Sequence, residues 1–184
     1  EVSPIEMAGS IAVFASSGLF AEPYSIIKIE DKKGNVIYSN QNEKRVVLDS
    51  ATTYLLTTAL VNVVDFGTAA SIRKYYSGPA AGKTGTTQNH SDGWFIGMTP
   101  KLSAGIWTGA DLRSIRFSDL NMGQGASMAL PVWGYFMKKV LADPALGYNQ
   151  SESFQRPPAF NIDLGCEGKM ETEGKEILEF DEFF

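Results

Sequence analysis

The chain has 184 residues, 43% of them hydrophobic, enough to bury a sizeable core in one compact domain. Its net charge of -5 is concentrated after Asn161, where eight acidic residues face only Lys169 and Lys175. The remainder is close to neutral and offers no field that would draw nucleic acid or anionic lipid. A single cysteine, Cys166, excludes an intramolecular disulfide and a thiolate metal cluster. No run approaches the roughly 20 apolar residues of a membrane-spanning helix, and the first residues lack the basic-then-apolar pattern of a secretory leader.

Ser3-Pro4-Ile5-Glu6 reads as a helix start: Ser3 caps, Pro4 takes the first helical position and Glu6 closes a capping box. Ala8, Ile11, Ala12 and Ala15 recur at helical spacing and Gly18 offers a left-handed stop, predicting a helix over 4–17. After Pro23, the run 24–30, the polar turn Asp31-Lys32-Lys33-Gly34-Asn35 and Val36-Ile37-Tyr38 predict a β-hairpin. A short extended run, Arg45-Val46-Val47-Leu48, leads to a second N-cap at Asp49-Ser50. From there Tyr54, Leu55, Ala59, Leu60, Val63 and Val64 carry a helix towards Gly67.

The runs 80–86, 94–98 and 102–108 read as three sequential antiparallel strands, the last two joined by Thr99-Pro100-Lys101. Residues 111–125 show no clear period, whereas Ala129, Leu130, Trp133, Phe136, Met137 and Val140 restore helical spacing. Pro157-Pro158 and the acidic residues predict an irregular tail over 151–184, outside a domain of residues 1–150. The fold class predicted is α/β in an α+β arrangement: an antiparallel sheet packed by helices, with the C-terminal helix on one face.

The densest chemistry lies in Ala81-Gly82-Lys83-Thr84-Gly85-Thr86-Thr87, a cation, three hydroxyls and two glycines in seven residues. On an extended backbone Lys83 and Gly85 point to one face and Thr84 and Thr86 to the other, a strand suited to an anion. Gly85, with no Cβ, permits close approach of a ligand or a second backbone. The bland alternative is a Gly/Thr-rich turn with a solvated lysine. A nucleotide-binding P-loop fails on spacing, because the glycine it needs falls at Ser77 and the segment after Lys83 does not open a helix.

Gly82-Lys83-Thr84-Gly85-Thr86-Thr87, Asp92-Gly93-Trp94-Phe95-Ile96-Gly97, Thr99-Pro100 and Ile106-Trp107-Thr108-Gly109 together resemble the corresponding run of class A penicillin-binding proteins. The likeness extends upstream to Ser3-Pro4-Ile5-Glu6-Met7-Ala8, Phe14-Ala15 and Gly67-Thr68-Ala69, and downstream to Ala129-Leu130-Pro131-Val132-Trp133. The resemblance implies the C-terminal part of a transpeptidase domain of the penicillin-binding/β-lactamase-like fold. It implies a D,D-transpeptidase that cross-links peptidoglycan through a serine acyl-enzyme in a bifunctional synthase. Lys83 would then supply charge for the substrate carboxylate and for proton movement near the serine. Thr84 and Thr86 would hydrogen-bond that carboxylate, the Thr86 N–H would be one oxyanion-hole donor, and Gly85 and Thr87 would complete the binding strand.

Of the three motifs such an enzyme carries, only the Lys-Thr-Gly strand is present. Ser25-Ile26-Ile27-Lys28 satisfies S-x-x-K literally but lies in a β-patterned run, and no serine is followed two positions later by asparagine. The expectation is therefore that upstream transpeptidase and glycosyltransferase regions and a membrane-anchoring segment are missing. The chain alone is expected to be inactive, and to self-associate or be marginally stable, because one edge of the 80–86 strand and apolar faces of the flanking helices are left exposed. The partners implied are peptidoglycan stem peptides and β-lactams, at the outer face of a bacterial cytoplasmic membrane; no metal or organic cofactor is implied. The rival readings are a β-lactamase or penicillin sensor of the same superfamily, and a non-catalytic envelope binding module.

Other residues read as structural. His90, the only histidine, reads as a solvated loop residue, and the resembling family uses none. Trp94 and Trp107 read as core anchors. Asp92 steadies the loop after Thr87 or is a plain surface carboxylate, and Arg113 and Arg116 read as solvated charges beside the site.

Overall fold

In a computed structural model, residues 2–158 and 160 are described, and the first element forms where the capping residues dictate. The helix α1 (Pro4–Ala15) carries the complete capping box: the Ser3 side chain accepts from the Glu6 N–H, and the Ser3 N–H donates to Glu6 Oε2 at 2.7 Å. It stops at Ala15, two residues short of the expectation, because Ser17 and Gly18 turn into positive φ. Gly18 is obligatory there: at φ +92, an added Cβ would stand 2.0 Å from the Leu48 carbonyl oxygen.

Leu48 lies two residues past a strand whose pairing the sequence did not announce. Strand β1 (Leu19–Ala21) pairs antiparallel with β4 (Lys44–Val46), bracketing the hairpin β2 (Lys28–Glu30) and β3 (Val36–Ser39). The hairpin is the predicted one, its turn held by Asp31, which accepts from the Lys33 and Asn35 N–H groups and from Asn35 Nδ2. Helix α2 (Ser50–Asp65) starts at the expected cap, with the Thr52 N–H donating to Asp49 Oδ1 at 2.9 Å.

The three expected strands form one antiparallel meander, β5 (Ala81–Thr86), β6 (Asp92–Met98) and β7 (Ser103–Gly109). Alternation sorts its faces. Phe95, Ala104 and Ile106 point to the face covered by α4 (Gly125–Ala142), where Trp133 is fully buried against Phe95 and Tyr76 in edge-to-face contacts. Met98 and Ala81 point to the other face, where Ile11 and Phe14 of α1 and Leu60 of α2 complete a second core.

Three differences from expectation have packing causes. Helix α4 begins four residues earlier than its apolar period and runs through Pro131, and a short helix, α3 (Leu120–Gly123), precedes it under an Asp119 cap. Trp94 and Trp107, expected as core anchors, are only half-buried and 40% exposed. They are cross-strand partners on the α1 face, but α1 begins beside Gly105, so Trp107, two residues further on, lies past its end. Trp133 is the buried anchor instead.

After α4 the chain to residue 158 has no further α-helix or strand, yet it is fastened to the body. Ser77 donates to Gln150, Lys101 pairs with Glu152, and Phe154 packs against the second core. Cys166 and the acidic stretch 161–184 lie outside the described residues.

Candidate active site

Strand β5 is extended because β6 holds it residue by residue, from Ala81 opposite Met98 to Thr86 opposite Gly93. The Thr87 N–H donates to the Asp92 carbonyl at 3.3 Å. Antiparallel alternation then turns the peptide groups of Gly85 and Lys83 towards β6 and leaves those of Thr84 and Thr86 on the outer edge. The Thr86 N–H therefore faces away from the sheet. The Lys83 ammonium, on an exposed side chain, folds over the same edge and donates to the Thr84 carbonyl at 2.8 Å.

The hydroxyls are positioned from the opposite face, as the alternation predicts. Thr84 Oγ1 lies 2.8 Å from Thr68 Oγ1, in the turn after α2, and Thr86 Oγ1 accepts from the Gly125 N–H, the first residue of α4, at 3.1 Å. Gly125 rests directly on the β5–β6 ladder: a Cβ there would stand 2.3 Å from both the Gly85 and Trp94 carbonyl oxygens. Gly93 is pressed from below, since its Cβ would meet Gly125 Cα at 2.9 Å. Gly85, on the Lys83 face, has its would-be Cβ 3.1 Å from Trp94 Cβ, so the missing side chain serves the strand's own packing as well as ligand approach.

Thr87 is engaged in the turn: its Oγ1 accepts from the Asp92 N–H at 3.2 Å and lies 3.0 Å from Ser91 Oγ. Asn89 and His90 adopt positive φ there. His90, read as solvated, is half-buried, with Nδ1 enclosed and unpartnered; its carbonyl accepts from the Phe117 N–H and steadies the loop 111–119. Asp92 Oδ1 is likewise enclosed without a partner.

That loop brings Arg113 to an open pocket of about 440 Å³ shared with Thr86, Thr87, Gln88, Asn89 and Ser91. Arg116 instead lines a larger, mainly apolar pocket of about 760 Å³ with Ile115, Phe117, Met122 and Met128. Of the residues lining the Arg113 pocket only Ser91 reaches it, and it touches none of Lys83, Thr84 and Thr86. This larger pocket is therefore not the candidate site. Ser25 and Lys28 lie in an exposed bend and in β2, so their S-x-x-K spacing places no pair on a helix face. Thr68 and Gly125 hold the strand hydroxyls, and nothing in their sequence neighbourhood assigned them that role. Among the described residues no cluster of His, Cys, Asp or Glu suits a metal ion.

This combination of a meander, a Lys-Thr-Gly strand on its edge and a C-terminal helix seated on that strand matches a known domain. Residues 1–112 match the family model of the penicillin binding protein transpeptidase domain, and the chain belongs to that family. The chain is 33% identical over 147 residues to penicillin-binding protein 2D of Bacillus subtilis, covering 76% of this chain and 20% of that protein. It is 34% identical over 160 residues to penicillin-binding protein 1A of Aquifex aeolicus, covering 86% and 20%. These relatives bear out the class A resemblance, and the chain spans about a fifth of their length. The fold matches the crystal structure of penicillin-binding protein 1A from Haemophilus influenzae with a TM-score of 0.74 at 23% identity, covering 85% of this chain and 28% of that one. Among the described residues no helix is long and apolar enough to cross a membrane.

Proposed function

We propose that the chain supplies the substrate-binding wall of a serine D,D-transpeptidase that cross-links peptidoglycan. The observation that carries this reading is the outer edge of β5, where the Thr86 N–H faces outward, the Lys83 ammonium folds over towards Thr84, whose hydroxyl Thr68 holds, and Thr86 borders an open pocket. In this reading the substrate peptide, or a β-lactam in its place, lies along that edge. Lys83 and the two hydroxyls hold its carboxylate by charge-assisted hydrogen bonds, and Gly85 keeps the strand flat enough for close approach.

The Thr86 N–H donates to the carbonyl oxygen as negative charge develops on it, a contribution of about 3 kcal/mol in comparable sites. Thr87 acts through the turn it closes. Arg113, across the pocket, adds a second cation to the path of an anionic substrate. The acylated serine lies outside residues 1–184, in a longer envelope protein anchored at the outer face of the cytoplasmic membrane. That longer protein carries the glycan-polymerising activity.

Labelled penicillin tests this. The 184-residue chain gains no covalent mass, whereas a longer protein that includes the serine-bearing region gains one adduct, mapping outside residues 1–184. An adduct on the chain alone, at Ser25 or elsewhere, would overturn the assignment.

A further inference from the structure

We infer that two copies of this chain associate through the outer edge of β2, joining their β2–β3 hairpins into one four-stranded antiparallel sheet. The hairpin stands off the body, with every residue of both strands exposed, among them Ile29, Val36, Ile37 and Tyr38. Among the described residues no core forms over this hairpin; a two-stranded hairpin alone is marginal in water, and an open apolar edge invites a further strand.

The backbone dictates which residues would meet. The Asn40 N–H donates to the Ile27 carbonyl at 2.9 Å, and the Asp31 N–H to the Asn35 carbonyl at 2.9 Å. Ile27, Ile29 and Asp31 therefore direct their peptide groups towards β3, and Lys28 and Glu30 direct theirs outward. If the edge pairs antiparallel with its own copy about a twofold axis at Ile29, Lys28 of each chain falls opposite Glu30 of the other. Those are the residues with free outward N–H and C=O groups, so the hydrogen-bond register and the charge register coincide.

In the single chain the Lys28 ammonium already reaches Glu30 Oε1 at 2.7 Å, so one face of β2 carries a cation and an anion two residues apart. Pairing converts this into two interchain ion pairs. On the opposite face Ile29 meets Ile29 beside Tyr38, its partner across the hairpin. The edge of β3, Val-Ile-Tyr-Ser, carries no charge and offers no such self-complementarity. This association is independent of the transpeptidase reading.

The test is sedimentation equilibrium of the 184-residue chain at low ionic strength, from micromolar to several hundred micromolar. The unmodified chain dimerises. Lys28→Glu and Glu30→Lys each set like charges opposite one another twice per dimer and weaken the dissociation constant about tenfold or more. The double variant Lys28→Glu/Glu30→Lys restores dimerisation, and so does an equimolar mixture of the two single variants, as a heterodimer. Both side chains are exposed and pack into no core, so circular dichroism of the variants is unchanged. A chain that stays monomeric over this range, single variants that associate as well as the parent, or charge effects that neither the double variant nor the mixture reverses would each overturn the proposal.

Discussion

Gly125 is where the C-terminal helix meets the candidate site, and Gly125→Ala tests that junction. The added Cβ would stand 2.3 Å from the carbonyl oxygens of both Gly85 and Trp94, backbone atoms that cannot rotate aside. The start of α4 must therefore lift off the β5–β6 ladder. Overpacking of this kind costs about 1–3 kcal/mol, and the hydrogen bond from the Gly125 N–H to Thr86 Oγ1 is lost at about 0.5–1.5 kcal/mol. Alanine's better helix propensity returns at most about 1 kcal/mol. The net is about 2 kcal/mol, a fall in Tm of about 4–8 °C for a domain of this size. The sign is diagnostic, because an open glycine at a helix start gains stability on becoming alanine. Thermal melts followed by circular dichroism decide the point. A Tm that is unchanged or raised would show that α4 does not rest on this strand, and would remove the support proposed for Thr86.

Two further predictions probe the frame that carries the site. Arg73 donates to Asp65, to the Gly78 carbonyl at 2.6 Å and to the Tyr76 carbonyl at 3.3 Å, tying the end of α2 to the approach to β5. Arg73→Met, at a partly exposed site where water takes up some of the loss, destabilises the chain by about 1–2 kcal/mol. It also speeds amide exchange across residues 76–80; an unchanged melt and exchange pattern would refute the tie. Hydrogen bonds from Thr52, side chain first and backbone second, hold the Asp49 carboxyl below its ordinary pKa. The folded pKa lies below the unfolded one, so this stabilisation is complete above the ordinary carboxylate pKa, about 4, and is lost as pH falls through the folded value. Asp49→Asn keeps the cap but not the titration. Its melting temperature at neutral pH stays near the parent's, while its decline into acid is shallower; an identical decline would refute the role.

What was legible in the sequence was local. The Ser3–Glu6 box, the Asp49 cap and the Asp31–Asn35 turn are made by side chains within four residues of the backbone groups they satisfy, so pattern alone located α1, α2 and the hairpin. The meander was readable because period-two alternation continued across short turns, and the sorting of Lys83 from Thr84 and Thr86 followed from the same period. The pairing of β1 with β4 was not readable, since Leu19–Ala21 is too short to show a period and its partner lies beyond an intervening hairpin. Composition could not tell Trp107 from Trp133. Both are tryptophans within apolar runs; Trp107 is exposed because α1 begins beside Gly105, short of it, whereas Trp133 is buried on the other face of the sheet against Phe95 and Tyr76. The same holds at the site, where Thr68 and Gly125 reach the strand from 16 and 39 residues away.

Lys83 and its strand are proposed to bind the carboxylate of an acylating substrate, and the rate of acylation by penicillin reads that contact. In a longer protein that includes the serine-bearing region, Lys83→Ala removes a charge-assisted hydrogen bond worth about 1.5–3 kcal/mol. The second-order rate constant for acylation is predicted to fall about 10- to 100-fold with the fold intact. A rate within about twofold of the parent would make Lys83 a solvated lysine and contradict the assignment of this strand as the substrate-binding wall.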